Sequence, residues 1–333
     1  MNYIGSKSKL SPFIKETIYK TVGKDLSQLI FCDIFAGTGI VGRNFKAEVK
    51  QVIANDLEYY SYVLNRNYIG NSKVLDKADY YIAQLNKLSL NKGFIYTNYC
   101  RGGGTDRQYF SDENGQKIDA IRQQISLWKE VKKINEDLHF FLLASLLEAA
   151  DKVANTASVY GAYLKHIKKP AAKPLIVTPA TFTLDNNKHP VYNEDSNTLI
   201  KKIKGDILYL DPPYNARQYG ANYHILNTIA LYDTFIPKGK TGLRDYNKSS
   251  YCSKPKVKES FEDLIKNAQF KYIFLSYNNE GLMSVQEVEN IMKKYGKYSL
   301  ASTSYKRFKA DKTENRNHKA DKTEEYLHIL IKE

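Results

Sequence analysis

The sequence predicts a doubly wound α/β fold that carries a large, mainly helical insertion. Three observations predict it. Two short apolar runs, Leu29-Ile30-Phe31-Cys32-Asp33-Ile34-Phe35 and Gln51-Val52-Ile53-Ala54-Asn55-Asp56, read as buried strands. The first runs into Ala36-Gly37-Thr38-Gly39 and a helix, the second ends on an acid, which is the opening of a doubly wound sheet. The strand rhythm then stops at about residue 70 and returns at Gly205.

Taken in order, residues 11–28 have helical character ahead of the first strand. Ile40 to Lys46 resumes as a helix after the glycine turn, and a tyrosine-rich helix runs from Leu57 to about Asn67. Residues 71–190 hold helical stretches, notably 117–150, separated by the loop 101–107 and the proline-containing segment 168–190. Further strands are expected at Gly205–Leu210, Tyr272–Tyr277 and Tyr326–Ile331. The expected organisation is a catalytic α/β domain of residues 1–70 and 191–333, interrupted by an insertion of residues 71–190. One polar hexamer, Lys309-Ala310-Asp311-Lys312-Thr313-Glu314, recurs as Lys319-Ala320-Asp321-Lys322-Thr323-Glu324. It reads as a charged hairpin between two strands, or as a basic flap touching phosphate.

Composition bounds the function. The 333 residues suit about two domains. Apolar residues make up 42% of the sequence, enough for a packed core. With 50 basic and 36 acidic side chains the formal charge is +14, which points to a polyanionic partner, most often nucleic acid. No apolar run approaches the ~18–20 residues that span a bilayer. The first residues, Met1-Asn2-Tyr3-Ile4-Gly5-Ser6-Lys7, lack a signal-peptide core. Cys32, Cys100 and Cys252 are far apart and odd in number, so they build neither a disulfide framework nor a zinc site. These features predict a cytoplasmic protein with no metal centre.

Two motifs carry chemistry. In Asp33-Ile34-Phe35-Ala36-Gly37-Thr38-Gly39 the glycines let the backbone turn tightly and approach a ligand, and the next helix offers free N–H groups. The loop lacks both the full dinucleotide G-x-G-x-x-G register, although Gly42 falls three after Gly39, and the P-loop lysine, so alone it is weak evidence, with an ordinary tight turn as the competing reading. Asp56, at the end of the second strand, can accept hydrogen bonds from both hydroxyls of a ribose; it is equally a helix N-cap. Asp211-Pro212-Pro213-Tyr214 is more specific. It follows an apolar strand, where open α/β sheets place their ligands. Its prolines stiffen the backbone and remove two N–H donors. The Asp211 carboxylate and the Pro212 carbonyl remain as adjacent acceptors, which suits an exocyclic amino group. The Tyr214 ring can stack on a base.

These motifs, in this order, resemble those of the Dam-like, D12-class (α-group) DNA adenine N6-methyltransferases. The matching pieces are Asn2-Tyr3-Ile4-Gly5-Ser6-Lys7-Ser8-Lys9-Leu10, Phe35-Ala36-Gly37-Thr38-Gly39, Asn55-Asp56, Asn193-Glu194-Asp195-Ser196 and Asp211-Pro212-Pro213-Tyr214. They span nearly the whole sequence. The run Asn215-Ala216-Arg217-Gln218-Tyr219 through Asn222-Tyr223-His224 resembles a restriction-associated branch. The resemblance implies a Rossmann-like methyltransferase sheet, S-adenosylmethionine as methyl donor, and duplex DNA as substrate, with the target adenine flipped from the stack. It implies cofactor contacts from Tyr3, Gly5 and Lys7, from Asp33, Phe35, Ala36, Gly37, Thr38 and Gly39, from Asp56 at the ribose, and from Asp195 at the cofactor adenine. Where this sequence has Tyr3 the family often has tryptophan, so an aromatic contact is kept. Asp211, Pro212, Pro213 and Tyr214 would be catalytic, with Asp211 also reaching the cofactor. Without that pattern Asp195 reads as a helix N-cap and Lys7 as a solvated charge.

The insertion would read the DNA sequence. Arg101 and Arg107 flank a glycine-rich loop, and Arg122 lies with Gln123 and Gln124 on an expected helix. Arginine pairs with guanine and glutamine with adenine, although a surface arginine is otherwise merely solvated. Lys165, Lys168, Lys169 and Lys173 suit phosphates. Arg217, just past the catalytic turn, suits the backbone of the flipped nucleotide, and residues 215–260, with Tyr219, Tyr223 and Tyr251, are expected as a DNA-contacting flap over it. Competing readings are a catalytically silent DNA-binding subunit and RNA adenine or cytosine-N4 methylation. The intact Asp211 motif speaks against the first; Asp211 in place of serine favours adenine over cytosine. A protein-glutamine methyltransferase would carry asparagine at 211. A nicotinamide dehydrogenase leaves that motif and the charge unexplained. No nuclease motif is visible, so a separate restriction endonuclease, or none, is expected, and a monomer.

Overall fold

A computed structural model describes residues 7–306 and 322–332. The repeated hexamer, apart from the β residues 322–324, lies outside them, as do Tyr3 and Gly5. The described residues divide into two compact units, each with its own hydrophobic core.

The sheet unit comprises residues 7–57, 187–218 and 248–332. Its strands are β1 (Ile30–Asp33), β2 (Gln51–Asn55), β3 (Val191–Tyr192), β4 (Lys204–Leu210), β5 (Gln269–Asn278), β6 (Gly296–Lys306) and β7 (Lys322–Lys332). They form one seven-stranded sheet in the order β3-β2-β1-β4-β5-β7-β6. The first five strands are parallel; β7 enters antiparallel to both β5 and β6. The order reverses between β1 and β4, so the carboxyl ends of these strands make the crevice in which such sheets bind ligands. The fold is therefore the expected Rossmann-like α/β sheet.

The parallel strands are buried on both faces, which is why they read as unbroken apolar runs: Phe31, Cys32, Val52, Ala54, Ile207, Leu208 and Tyr209 are fully buried. Helices α1 (Ser11–Val22), α2 (Ile40–Phe45), α8 (Ser196–Leu199), α11 (Val257–Asn267) and α12 (Val285–Met292) belong to this unit. Helix α12 opens with a complete capping box between Ser284 and Glu287, which satisfies two of the amide donors a helix start leaves open.

The helical unit comprises Glu58–Asn186 and Tyr219–Asn247. It holds α3 (Tyr59–Asn65), α4 (Ala78–Lys87), α5 (Phe94–Tyr99), α6 (Asp112–Glu130), α7 (Glu136–Val153), α9 (Tyr219–Asn222) and α10 (His224–Leu231). The division departs from the expected 1–70, 71–190 and 191–333 in two places. Helix α3 leaves the sheet domain because Tyr60, Val63 and Leu64 bury themselves in the helical core. Residues 219–247 join it because α10 brings Leu226 and Ile229, with Tyr223 just ahead of it, into the same core. Asn227 ties the two helices: its side chain accepts from the Tyr60 amide at 2.9 Å and donates to Glu58 at 2.5 Å. The expected flap of 215–260 is therefore not one element. Tyr223 packs in the helical core and Tyr251 in the sheet core.

Arg122 is a second correction. It does not stand on an open helix face: it is 6% exposed. Its guanidinium donates to the carbonyls of Ile229 and Ala230 at 2.9 Å each, and of Leu231 at 3.4 Å. These are carbonyls that the end of α10 leaves without helical partners, so Arg122 caps the carboxyl end of that helix. Arg122→Met should destabilise the protein by about 2–4 kcal/mol, because buried carbonyls would lose their donors. Urea unfolding checks this. The salt dependence of DNA binding, which counts phosphate contacts, should stay unchanged, whereas a groove-reading arginine would alter affinity without altering stability.

Candidate active site

The candidate cofactor end of the site is built on β1 and β2. After Asp33 the backbone turns sharply, with Gly37 at φ 52° and Gly39 at φ 75°, angles that a Cβ makes costly. The turn is closed by Ala36 N–H donating to Asn55 O at 2.9 Å and Gly39 N–H to Ala36 O at 2.7 Å. The Asp56 carboxylate accepts from Gly37 N–H at 2.7 Å. Strand end and glycine loop are thus one preorganised unit. Asp56→Ala should weaken methyl-donor binding about tenfold or more, the worth of a charge-assisted hydrogen bond, while kcat at saturating donor changes little. Calorimetric titration checks the first and saturation kinetics the second.

Asn55 does more than its place in a motif suggests. It is buried, and its amide donates to Ile34 O at 3.0 Å and Glu194 O at 3.1 Å while accepting from Glu194 N–H at 3.0 Å. It staples the β1 turn, the end of β2 and the segment after β3. Asn193 adds bonds to Asp56 O and Leu57 O at 2.7 and 3.0 Å. Asp195 is exposed and N-caps α8, accepting from Thr198 N–H at 3.0 Å. Phe35 packs edge-on against Tyr251 at 5.0 Å between ring centroids. Ala36 is buried, and Thr38 half-buried.

Asp33 is buried at the foot of this turn. One carboxylate oxygen accepts from Gly42 N–H at 3.3 Å; the other has no hydrogen-bond partner. Burial, then the charge of Asp211, pushes its carboxyl well above the usual carboxylate range. An orphaned acidic oxygen under a left-handed glycine turn, with Asp56 at the neighbouring strand end, fits a nucleoside cofactor that carries positive charge.

The candidate reacting end lies at the carboxyl end of β4. Asp211 keeps 20% of its side-chain surface exposed, and its Oδ1 is 3.0 Å from Lys7 Nζ. Lys7 opens a short 3-10 turn before α1; its carbonyl accepts from Leu10 N–H and Ser11 Oγ, both at 2.9 Å. Only 5% of Lys7 is exposed. Burial alone would lower the Lys7 ammonium, but Asp211 first and Glu325 second outweigh it and hold it charged. Burial pushes the Asp211 carboxyl up, and Lys7 opposes that. Pro212 is buried, Pro213 and Tyr214 are half-buried, and Tyr214 O accepts from Leu282 N–H at 3.0 Å. The Lys7–Asp211 pair and the approach of Glu325 are absent from any local pattern. Only the fact that Lys7 is a lysine within a recurring N-terminal motif hinted at the first.

The candidate DNA residues fare unequally. Arg101 and Arg217 are exposed. Tyr219 is half-buried, its ring 5.9 Å from that of Tyr223. Arg107 is corrected: its guanidinium is spent on the carbonyls of Lys240, Asn98 and Gly239 at 3.0–3.2 Å, so it pins a loop. The glycines beside it serve internal packing. A Cβ at Gly102 would collide with Asp112, and one at Gly103 with the backbone of Tyr96 and Thr97. Lys165, Lys169 and Lys173 are exposed, whereas Lys168 donates to Thr156 O at 2.6 Å.

The glycine turn after β1 and the Asp211 and Pro212 acceptors after β4 stand at the ends of adjacent strands on one sheet edge, an arrangement that would suit a nucleoside-dependent methyltransferase acting on an amino group. Residues 3–291 match a family model described as D12 class N6 adenine-specific DNA methyltransferase. The protein belongs to that family; it is an adenine-specific DNA methyltransferase whose methyl donor is S-adenosylmethionine. It is 65% identical over 332 residues to the type II methyltransferase M.NlaIII of Neisseria lactamica, covering 100% of this sequence and 99% of that one. It is 42% identical to the type II methyltransferase M.FokI of Planomicrobium okeanokoites, over 93% of this sequence and 50% of that protein. The type II methyltransferase M.CviAII of Paramecium bursaria Chlorella virus 1 is 40% identical over 93% of each sequence.

Proposed function

We propose that this enzyme is the modification methyltransferase of a type II restriction-modification system, acting on adenine flipped out of duplex DNA at a specific site. The single observation that supports this most is the 65% identity to M.NlaIII along nearly the full length of both proteins. A separate endonuclease is the proposed partner, and a cytoplasmic monomer the proposed form. Among the described residues no helix is long and apolar enough to cross a membrane. The +14 charge suits a DNA ligand.

In this reading S-adenosylmethionine supplies a methyl group made electrophilic by its sulfonium. Asp33, Phe35, Ala36, Gly37, Thr38, Gly39, Asp56 and Asp195 would hold it, with Tyr3, Gly5 and Lys7. The Asp211 carboxylate and the Pro212 carbonyl accept the two N6 hydrogens of adenine, and the Tyr214 ring stacks on the base. Two acceptors draw density toward N6 and aim its lone pair. N6 forms the new N–C bond, sulfur keeps the C–S electron pair, and N6 then releases one proton. No covalent enzyme intermediate is needed; positioning and fixed charge do the catalysis. Burial makes Asp211 hard to ionise, and Lys7 keeps it available as an acceptor. The helical unit would read the site. Arg101 is its exposed candidate, Tyr219 a further DNA-binding candidate in it, and Lys165, Lys169 and Lys173 suit phosphates; in the sheet unit Arg217 suits the backbone of the extruded nucleotide.

The test is incubation with labelled S-adenosylmethionine and unmethylated bacterial DNA, followed by nucleoside mass spectrometry and methylation-sensitive sequencing. N6-methyldeoxyadenosine confined to one short sequence is expected. Product scattered over all sequence contexts would overturn the site-specific reading, and product on RNA alone would overturn the DNA substrate.

A further inference from the structure

Glu325 is a carboxylate that neither the motifs nor the mechanism above uses. It lies near the start of β7, paired in register with Asn278 of β5. Strand β5 in turn pairs with β4, Leu275 opposite Leu210. Continuing that register places Glu325 two strands across from the Asp211–Pro213 stretch, roughly 10 Å along the sheet at the usual strand spacing. Because β7 runs antiparallel, its early residues reach the same sheet edge as the carboxyl ends of β4 and β5.

The side chain is half-buried, and its Oε2 is shut off from solvent with no hydrogen-bond partner. A buried carboxylate oxygen left unsatisfied is costly, and such groups are kept where charge is needed. Around Glu325 stand Lys7 from the 3-10 turn, Asp211 from the end of β4, and Asn278 and Glu280 from β5 and the turn after it; burial pushes its carboxyl up, and the Lys7 ammonium and the Asn278 side chain oppose that and favour the charged form. Tyr209 and Tyr214 feel the same charges, and Asp33 faces Asp211 from β1. Glu325 is the second carboxylate, after Asp211, that holds the Lys7 ammonium charged.

A lysine paired with one carboxylate makes a neutral pair. That is a poor neighbour for adenine N6, which becomes positive as it gains the methyl group. We propose that Glu325 is a positioning residue for methyl transfer: beside the Lys7–Asp211 pair it leaves the trio with a net negative charge that favours the cation developing on N6. The effect is electrostatic and preorganised, and it rests on the adenine-N6 reading of the site.

Full-length enzyme carrying Glu325→Gln or Glu325→Asp tests this on duplex DNA containing the mapped site. The glutamine variant should lose about tenfold in kcat with unchanged KM for S-adenosylmethionine and DNA; the aspartate variant, which keeps the charge, should retain most of the rate. The acid limb of kcat reports the two carboxylates together. Without a like charge nearby Asp211 ionises more readily, so in the glutamine variant that limb should move about one pH unit lower. Wild-type kcat with an unmoved limb overturns the proposal. So does a loss equal in both variants with lower thermal stability and an unmoved limb, the signature of packing alone. If the glutamine variant does not fold, Glu325→Ala serves as the second uncharged variant: its acid limb should also move lower, and an unmoved limb overturns the proposal. Should the wild-type enzyme make no N6-methyldeoxyadenosine, the adenine reading fails; if it does and the variants match it, only the role of Glu325 fails.

Discussion

Asp211→Asn is expected to abolish methyl transfer, lowering kcat about 10³-fold, or roughly 4 kcal/mol of transition-state stabilisation. Asparagine keeps the shape of Asp211 and an acceptor oxygen, so a purely steric role would survive the change. It removes the negative charge that N6 needs as it becomes positive, and it leaves the ammonium of Lys7, 3.0 Å away in the wild-type enzyme, without its main counter-charge. Single-turnover methylation of a duplex containing the mapped site measures the chemical step directly. S-adenosylmethionine affinity, read by calorimetry, should change far less, because the glycine turn and Asp56 are untouched. A variant that methylates within a few fold of the wild-type rate would remove Asp211 from the mechanism.

Lys7→Met should cost about 3 kcal/mol in stability, since it strands a mostly buried carboxylate without its cation. The change also has a pH signature. Burial already pushes the Asp211 carboxyl up, and Lys7 is what opposes it. Without Lys7 the folded-state value rises further above that of the unfolded protein. A carboxyl raised in this way is comfortable in the fold while protonated and costly once ionised, so the penalty grows as pH rises through the raised value. The stability gap from wild type should accordingly narrow in acid, where Asp211 is protonated in both proteins. Activity should move the other way: the acid limb of kcat shifts to higher pH, and raising the pH restores part of the lost rate. Urea unfolding across pH and a kcat–pH profile measure the two effects. An unchanged limb would mean that Lys7 holds backbone geometry and nothing more.

Local pattern carried the reading where local physics dominates. The strand-turn-helix at 29–46 was legible because parallel strands buried on both faces are continuous apolar runs, and because a left-handed turn demands glycine. Asp211-Pro212-Pro213-Tyr214 was legible because proline removes donors wherever it stands. Arg122 misled for the opposite reason. An arginine beside two glutamines on a helix looks solvated, and nothing within α6 shows that α10, some hundred residues later in the sequence, ends against it. The same holds for α3 and residues 219–247, whose unit is decided by which core accepts Tyr60 and Tyr223.

By itself the sequence determined the Rossmann-like sheet, the glycine turn after β1, the Asp211-Pro212-Pro213-Tyr214 turn after β4 and, through the order of its motifs, the adenine-methylating family. Each depends on residues adjacent along the backbone or on one strand. What only the tertiary structure decided is the company these residues keep: Lys7 against Asp211 from 204 positions away, Asn55 stapling three segments, and Glu325 carried to the same edge by an antiparallel last strand. Charges separated in sequence acquire a defined interaction only when the fold buries them together, because water would otherwise screen them. Strand register and burial set that distance, and neither is written in any single stretch of the sequence.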